Sequence, residues 1–252
     1  LVINIDIIMV ERLLGLSAAG IYTITFFFGT LILVPLRTLG KIGSVVIADA
    51  WKRNDIETID DIYKKSSISL SVIGVLLFIG IWGNIDNIFE IIKDDYLPGK
   101  MVIFYIGIAN LIDIALGVSS HIIVNSRYYR YLSYFLVGFA VFLIITNLLL
   151  IPVYGIIGAA IASLVSKLIY NFIKYLFIYK KFGIQPFSVK FIYLILVGLF
   201  AYWVSTLMPP LSNFILDIFV RSALITIVFT LPTYFLNISN DLNSKVNDIL
   251  NL

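Results

Sequence analysis

The sequence predicts an all-α integral membrane protein, a polytopic helix bundle, on three observations. Of the 252 residues, 60% are hydrophobic and only 13% charged, with a mean hydropathy of +1.02. A water-soluble globule of that size cannot bury so much apolar surface. Apolar runs of about 20 residues, the length that crosses about 30 Å of hydrocarbon as a helix, recur along nearly the whole chain and exclude a barrel of short alternating strands. Lys and Arg gather in alternate connections, as they do in multi-pass proteins.

The first element, LVINIDIIMV, meets Glu11 and Arg12 too soon to span, so the chain is expected to begin inside a membrane helix, as a fragment without a readable signal peptide. Further spans are expected at about 20–47, 66–84, 100–125, 131–151, 155–179, 187–208 and 213–236. The mixed-charge run KRNDIETIDDIYKK after Trp51 predicts a short amphipathic surface helix with a solvated face, and the polar tail from Asn237 predicts a short helix or a disordered end. Lys52, Arg53, Lys64, Lys65, Arg127, Arg130, Lys180, Lys181, Lys190 and Lys245 fall on one side, against Arg12, Lys93 and Lys100 on the other. The positive-inside rule makes the first side cytoplasmic, with the C-terminus on it, and puts the acidic loop at Ile85 to Asp95 outside. The net charge of +3 is spread over helix ends rather than gathered into a nucleic-acid patch. With no cysteine and one histidine, neither a disulfide framework nor a metal cluster is expected, and no cofactor is implied.

One stretch organises the rest. Asn147 to Ser163 reads NLLLIPVYGIIGAAIAS: an apolar run, a Pro-x-x-Gly corner and a second run alternating small residues with isoleucine. Pro152 and Gly155 predict a tight reversal, so that two helices meet as a close antiparallel pair. On the second helix Gly158, Ala162 and Ser166 recur every fourth residue beside Gly155 and Ala159, a face over which a neighbouring backbone can approach closely.

The same pattern, N-x-x-L-I-P-x-Y-G-I-x-G-A-A-x-A-S, resembles the signature of polysaccharide-exporting flippases of the multidrug/oligosaccharidyl-lipid/polysaccharide (MOP) exporter superfamily. Tyr128 to Leu132 (YYRYL) and Gly20-Ile21-Tyr22 are similar to that family as well. The resemblance implies the C-terminal half of such a transporter: residues 1–180 as the second lobe of a two-lobe, inverted-V bundle, and residues 181–252 as an appended helix pair with a short cytoplasmic tail. It further implies a multi-pass protein of the plasma (inner) membrane that moves lipid-linked oligosaccharide, of the undecaprenyl-pyrophosphate type, by alternating access coupled to protons or sodium ions. A multidrug exporter of the same superfamily is the near alternative.

Ionisable residues within spans mark the candidate sites, because each costs at least about 2.5–3.5 kcal/mol unless it meets a partner, a cavity or the interface. Arg37 and Lys41 share a helix face with Thr30 and Ser44 beyond Pro35; they read either as a cationic wall for a pyrophosphate or as snorkelling side chains. Asn110, Asp113, Gly117, Ser120 and His121 share a face of the fourth span, where Asp113 and His121 are candidates for holding the coupling ion; pairing with a membrane arginine or lysine is the alternative for Asp113. Lys167 either lines the cavity or pairs with Asp113. Asp6 is the one charge of the first helix and a third ion-coupling candidate, and Asp217 with Arg221, four apart, predict a structural ion pair. Trp51, Trp82 and Trp203 read as interfacial anchors. A membrane enzyme, such as a glycan polymerase or acyltransferase, is the competing class, but the loops are short and the one His has no acid closer than Asp113. On those grounds no enzymatic activity is expected, and a purely structural subunit is disfavoured separately by the charges within spans.

Overall fold

The computed structural model describes residues 5–250, apart from the side chains of Leu39, Lys41, Ile42, Ile249 and Leu250. Its elements are α1 (Ile5–Leu14), α2 (Leu16–Thr30), α3 (Val34–Lys52), α4 (Ile56–Gly83), α5 (Ile85–Ile92), α6 (Lys100–Ala115), α7 (Ser119–Val124), α8 (Tyr129–Phe182), α9 (Lys190–Thr206), α10 (Phe214–Phe235) and α11 (Asn240–Leu250), with 3-10 turns at Leu31–Leu33 and Asp94–Gly99. Among the described residues there is no strand. Among the same residues, five helical stretches are long and apolar enough to cross a membrane, and α9 is a shorter apolar helix. The protein is therefore a multi-pass, all-helical membrane bundle.

The second pass is broken where Pro35 demands it. Having no N–H, Pro35 cannot donate to the Leu31 carbonyl, and that carbonyl instead accepts from the Val34 N–H in a tighter 3-10 turn before α3 begins. A single helix over 20–47 is thus corrected to two, and Thr30, on the far side of the break, does not continue the Arg37 face. The fourth pass is corrected in the same way. α6 stops at Ala115, and Gly117 takes φ +45°, where a Cβ would lie 2.7 Å from the hydroxyls of Ser66 and Ser67 and 2.9 Å from the Ser67 nitrogen. Only glycine allows α4 so close to a left-handed backbone. The chain then resumes as α7, so Asn110 and Asp113 do not share one helix face with Ser120 and His121.

The charged run after Trp51 is not a separate surface helix. Arg53 to Asp55 form a turn with Asn54 at φ +54°, and the rest is the opening of α4. Asp55 caps α4 by accepting from the Thr58 N–H at 3.0 Å, and Asp60 with Lys64 and Asp61 with Lys65 pair along the first turns. At 1.5 Å per residue the 28-residue helix is about 42 Å long, so these turns extend past the hydrocarbon.

α8 is a hairpin. The chain stays helical through Pro152 and reverses at Gly155, whose φ +60° and ψ −141° lie in a region open essentially to glycine. Contacts across the two arms stay centred on that residue: Thr146 and Ser166 hydroxyls at 3.2 Å, and the ring pairs Phe139/Tyr170 and Phe135/Phe177 at 5.2 and 5.3 Å. A Cβ on Gly158 would lie 2.2 Å from the Leu150 carbonyl oxygen, so the small-residue face is where the arms touch.

The second arm of α8 packs on α1, α6 and α7; α2 packs on α1 and α6, and α3 on α4 and α7. α9 and α10 pack on each other and on α4, around Ile68, Leu194, Ile225 and Phe229. The basic connections meet at one end, where Trp51 lies 4.9 Å from Phe182 and Lys190 donates to the Asn237 carbonyl at 2.6 Å. The acidic connection closes the other end, where Asn87 donates to Asp217 and Lys100 pairs with Asp86.

Candidate functional site

The second arm of α8 carries Ser163, Lys167, Asn171 and Lys174 at spacings of four, four and three, which places them on one helix face. That face turns inward onto α1, α6 and α7. Lys167 pairs with Asp113 of α6 at 2.8 Å and also donates to the Asn110 side chain. Asn171 donates to the other Asp113 oxygen at 2.6 Å, while its own buried carbonyl oxygen finds no partner among the described residues. Asn110, fully buried, donates in turn to the Gly29 carbonyl at 2.8 Å, in the last turn of α2 just before the break at Leu31–Leu33. The cluster thereby reaches the break between α2 and α3.

Lys174 is buried 3.4 Å from the Ser120 hydroxyl and 4.5 Å from the centroid of the Tyr170 ring, with no carboxylate within ion-pair distance among the described residues. One carboxylate thus serves a region with two ammonium groups. Asp113 and Lys167 each keep about a fifth of the side chain accessible (20% and 22%), so this is not a sealed core pair.

A second buried acid stands apart from it. Asp6 accepts from the Tyr22 hydroxyl at 2.7 Å, the Ser163 hydroxyl at 3.1 Å and the Ile7 N–H at 3.1 Å, and pairs with no cation among the described residues. Three neutral donors around a carboxylate make a place where a proton or a small cation can supply the missing positive charge. Asn147 is fully buried near the turn of the hairpin, and neither atom of its side-chain amide has a partner among the described residues.

Of the remaining predicted residues, Arg37 lies in the first turn of α3, exposed, and takes no part in either cluster. The Lys41 side chain lies outside the described residues. His121, on α7, packs against α3, its Nε2 standing 3.0 Å from where a Gly40 Cβ would sit, and it joins neither Asp113 nor Lys174. Asp217 and Arg221 form the expected ion pair, with contacts of 2.9 and 3.1 Å. Sequence reasoning missed Asn171 and Lys174. Their signal was present, since both continue from Lys167 at helical spacing.

No protein-family model, no characterised protein and no solved structure matches the chain.

Proposed function

We propose that the chain is the C-terminal half of a MOP-superfamily flippase for lipid-linked oligosaccharide, working in the plasma (inner) membrane with its C-terminus in the cytoplasm. Residues 1–180 are the second lobe and residues 181–252 the appended pair. The observation that carries the reading is the hairpin itself. Asn147 to Ser163, which bears the family resemblance, is the segment that turns the chain back and lays Ser163, Lys167, Asn171 and Lys174 against Asp6 and Asp113. Alternating access requires helices that repack between two arrangements, and a region with one carboxylate, two lysines and an unfilled acceptor has more than one way of pairing. In this reading Asp6 takes up the coupling ion, a proton or sodium. Lys167 and Asp113 form the pair that exchanges partners during rocking, and Arg37 with Lys41 compensates the diphosphate of an undecaprenyl-pyrophosphate-type substrate.

The test is translocation of a defined undecaprenyl-pyrophosphate oligosaccharide by the full-length protein in sealed vesicles, with and without a proton or sodium gradient. Arg37→Ala is expected to abolish flipping at normal protein abundance, Arg37→Lys to restore it in part, and Asp6→Asn to remove the response to the gradient. Full flipping by Arg37→Ala at normal abundance removes Arg37 from the substrate path. Failure to move any lipid-linked glycan while cationic drugs are exported replaces the reading with that of a multidrug exporter.

A further inference from the structure

At the basic end of the bundle, remote from the Asp113 cluster, three chain segments converge on a cavity of about 460 Å³. It is lined by Trp51 in the last turn of α3 and Asn54 just after it, Asn125 and Arg127 after α7, and Lys181 and Phe182 at the end of α8. The volume lies within the range of about 300–1,000 Å³ usual for sites that hold small molecules or headgroups.

Its charge is one-sided. The Arg127 guanidinium lies 4.9 Å and the Lys181 ammonium 5.3 Å from the centroid of the same Tyr128 ring. Neither pairs with a carboxylate among the described residues; the nearby acids are engaged elsewhere, Asp49 with Arg53 and Asp55 with Thr58. Both cations rest on one ring without a carboxylate partner, which leaves their charge open to a shared anion. The helix ends here do not supply it: the last turn of α8 is closed by the Gly183 N–H donating to the Tyr179 carbonyl at 2.9 Å, and a helix terminus offers only about half a charge. The Asn54 side chain makes no hydrogen bond among the described residues and adds a free amide donor.

The surroundings fix the depth of the cavity. Trp51 donates its indole N–H to the Ile122 carbonyl at 3.1 Å and packs on Phe182, and Tyr128, Tyr131 and Phe177 continue the aromatic cluster. Such a girdle of amphipathic rings marks the level of the headgroups rather than open water. The geometry points to a binding site for the phosphate of an anionic phospholipid headgroup, with Arg127 and Lys181 sharing the phosphate oxygens, Asn54 donating to the glycerol or phosphate, and the acyl chains leaving along the exposed side of α8. Basic pockets between membrane helices take anionic lipids in this way. The inference does not depend on what the protein transports.

The full chain, purified in a zwitterionic detergent, is titrated with phosphatidylglycerol, and lipid retained per protein is measured by native mass spectrometry. Phosphatidylcholine, inorganic phosphate and glycerol 1-phosphate serve as separate arms. One phosphatidylglycerol is expected to be retained, phosphatidylcholine much less, and the exposed double variant Arg127→Gln/Lys181→Gln to bind about 10- to 30-fold more weakly. Lys181→Arg, which keeps the charge, is expected to stay within about twofold of the unaltered protein. The site is overturned if Lys180→Gln/Lys245→Gln, basic residues of the same end outside the cavity, weakens binding as much, or if phosphatidylcholine is retained equally. Displacement of the lipid by free phosphate at matching concentration overturns the lipid as its source.

Discussion

Two ion pairs inside the bundle use the same chemistry to opposite ends. Asp217 and Arg221 lie one turn apart on α10, and each has several partners besides the other. Asp217 also takes bonds from Asn87 at 2.5 Å and the Leu211 N–H at 3.0 Å, while Arg221 reaches the Ser205 and Met208 carbonyls at 2.7 and 3.4 Å. Asp113 and Lys167 lie on different helices, remain partly accessible, and leave Lys174 without a carboxylate and Asn171 with an idle acceptor. The first is a clasp that fixes α10 to the end of α9 and to α5. The second is a joint with unfilled valences. A buried pair confers rigidity when its members have nowhere else to go, and adaptability when they do.

The comparison breaks most visibly at the clasp. Arg221→Met strands Asp217 among its remaining donors, and a loss of about 3–5 kcal/mol is expected, read as a collapse of folded protein in membranes; Asp217→Asn/Arg221→Met should recover most of it. Equal yields for the single and double variants would mean that the pair is not what holds α10. At the joint, Lys167→Met is expected to cost less, about 1–3 kcal/mol, because Asn171 still donates to Asp113 and Lys174 supplies positive charge nearby. If the proposed flippase reading holds, the main effect of Lys167→Met is a loss of at least tenfold in glycan flipping at comparable abundance. A Lys167→Met protein that flips normally would make the joint merely structural.

Lys174→Met sharpens the contrast further. Removing a buried ammonium that lacks a carboxylate should leave the melting temperature in detergent unchanged or raised, whereas the same change at either true pair lowers it. The smallest effect belongs to the surface. The Thr58 N–H and hydroxyl hold the Asp55 carboxyl below the usual carboxylate range. With a depressed folded value, its contribution is present above the unfolded pKa of about 3.9 and is lost as pH falls through the lower folded one. Asp55→Ala should therefore lower stability slightly at neutral pH and erase part of the acid sensitivity below about pH 4; an unchanged acid limb would assign that sensitivity to other carboxylates.

Much of the bundle was legible because its largest signals are local. Hydropathy runs mark the passes, Pro152 to Gly155 marks the hairpin, and an i, i+4 spacing marks the clasp on α10. What stayed hidden depended on contacts between distant segments. Gly117 reads as one small residue on an apolar helix, and only the approach of Ser66 and Ser67 makes its left-handed conformation decisive. His121 was grouped with Asp113 by a periodicity that the same break interrupts. Lys167 stands out as an ionisable residue within a span, and Asn171 and Lys174 follow it at helical spacing. That they face Asp113 and Ser120 depends on how the hairpin docks, which no single helix encodes.

The order in which the chain is made separates the two pairs once more. Asp217 and Arg221 emerge within one turn of each other and enter the bilayer already neutralised. Asp113 emerges long before its partners: Asn171 lies 58 residues further on, and at about 5–20 residues per second the wait is roughly 3–12 s. During that interval α6 holds a carboxylate that lipid will not accept, so it must stay beside the insertion machinery or at a wet boundary until the hairpin arrives. Lys167 can neutralise that carboxylate only after the hairpin has been made, so a chain cut after α7 is expected to leave its fourth pass poorly inserted, read by protease or glycosylation mapping.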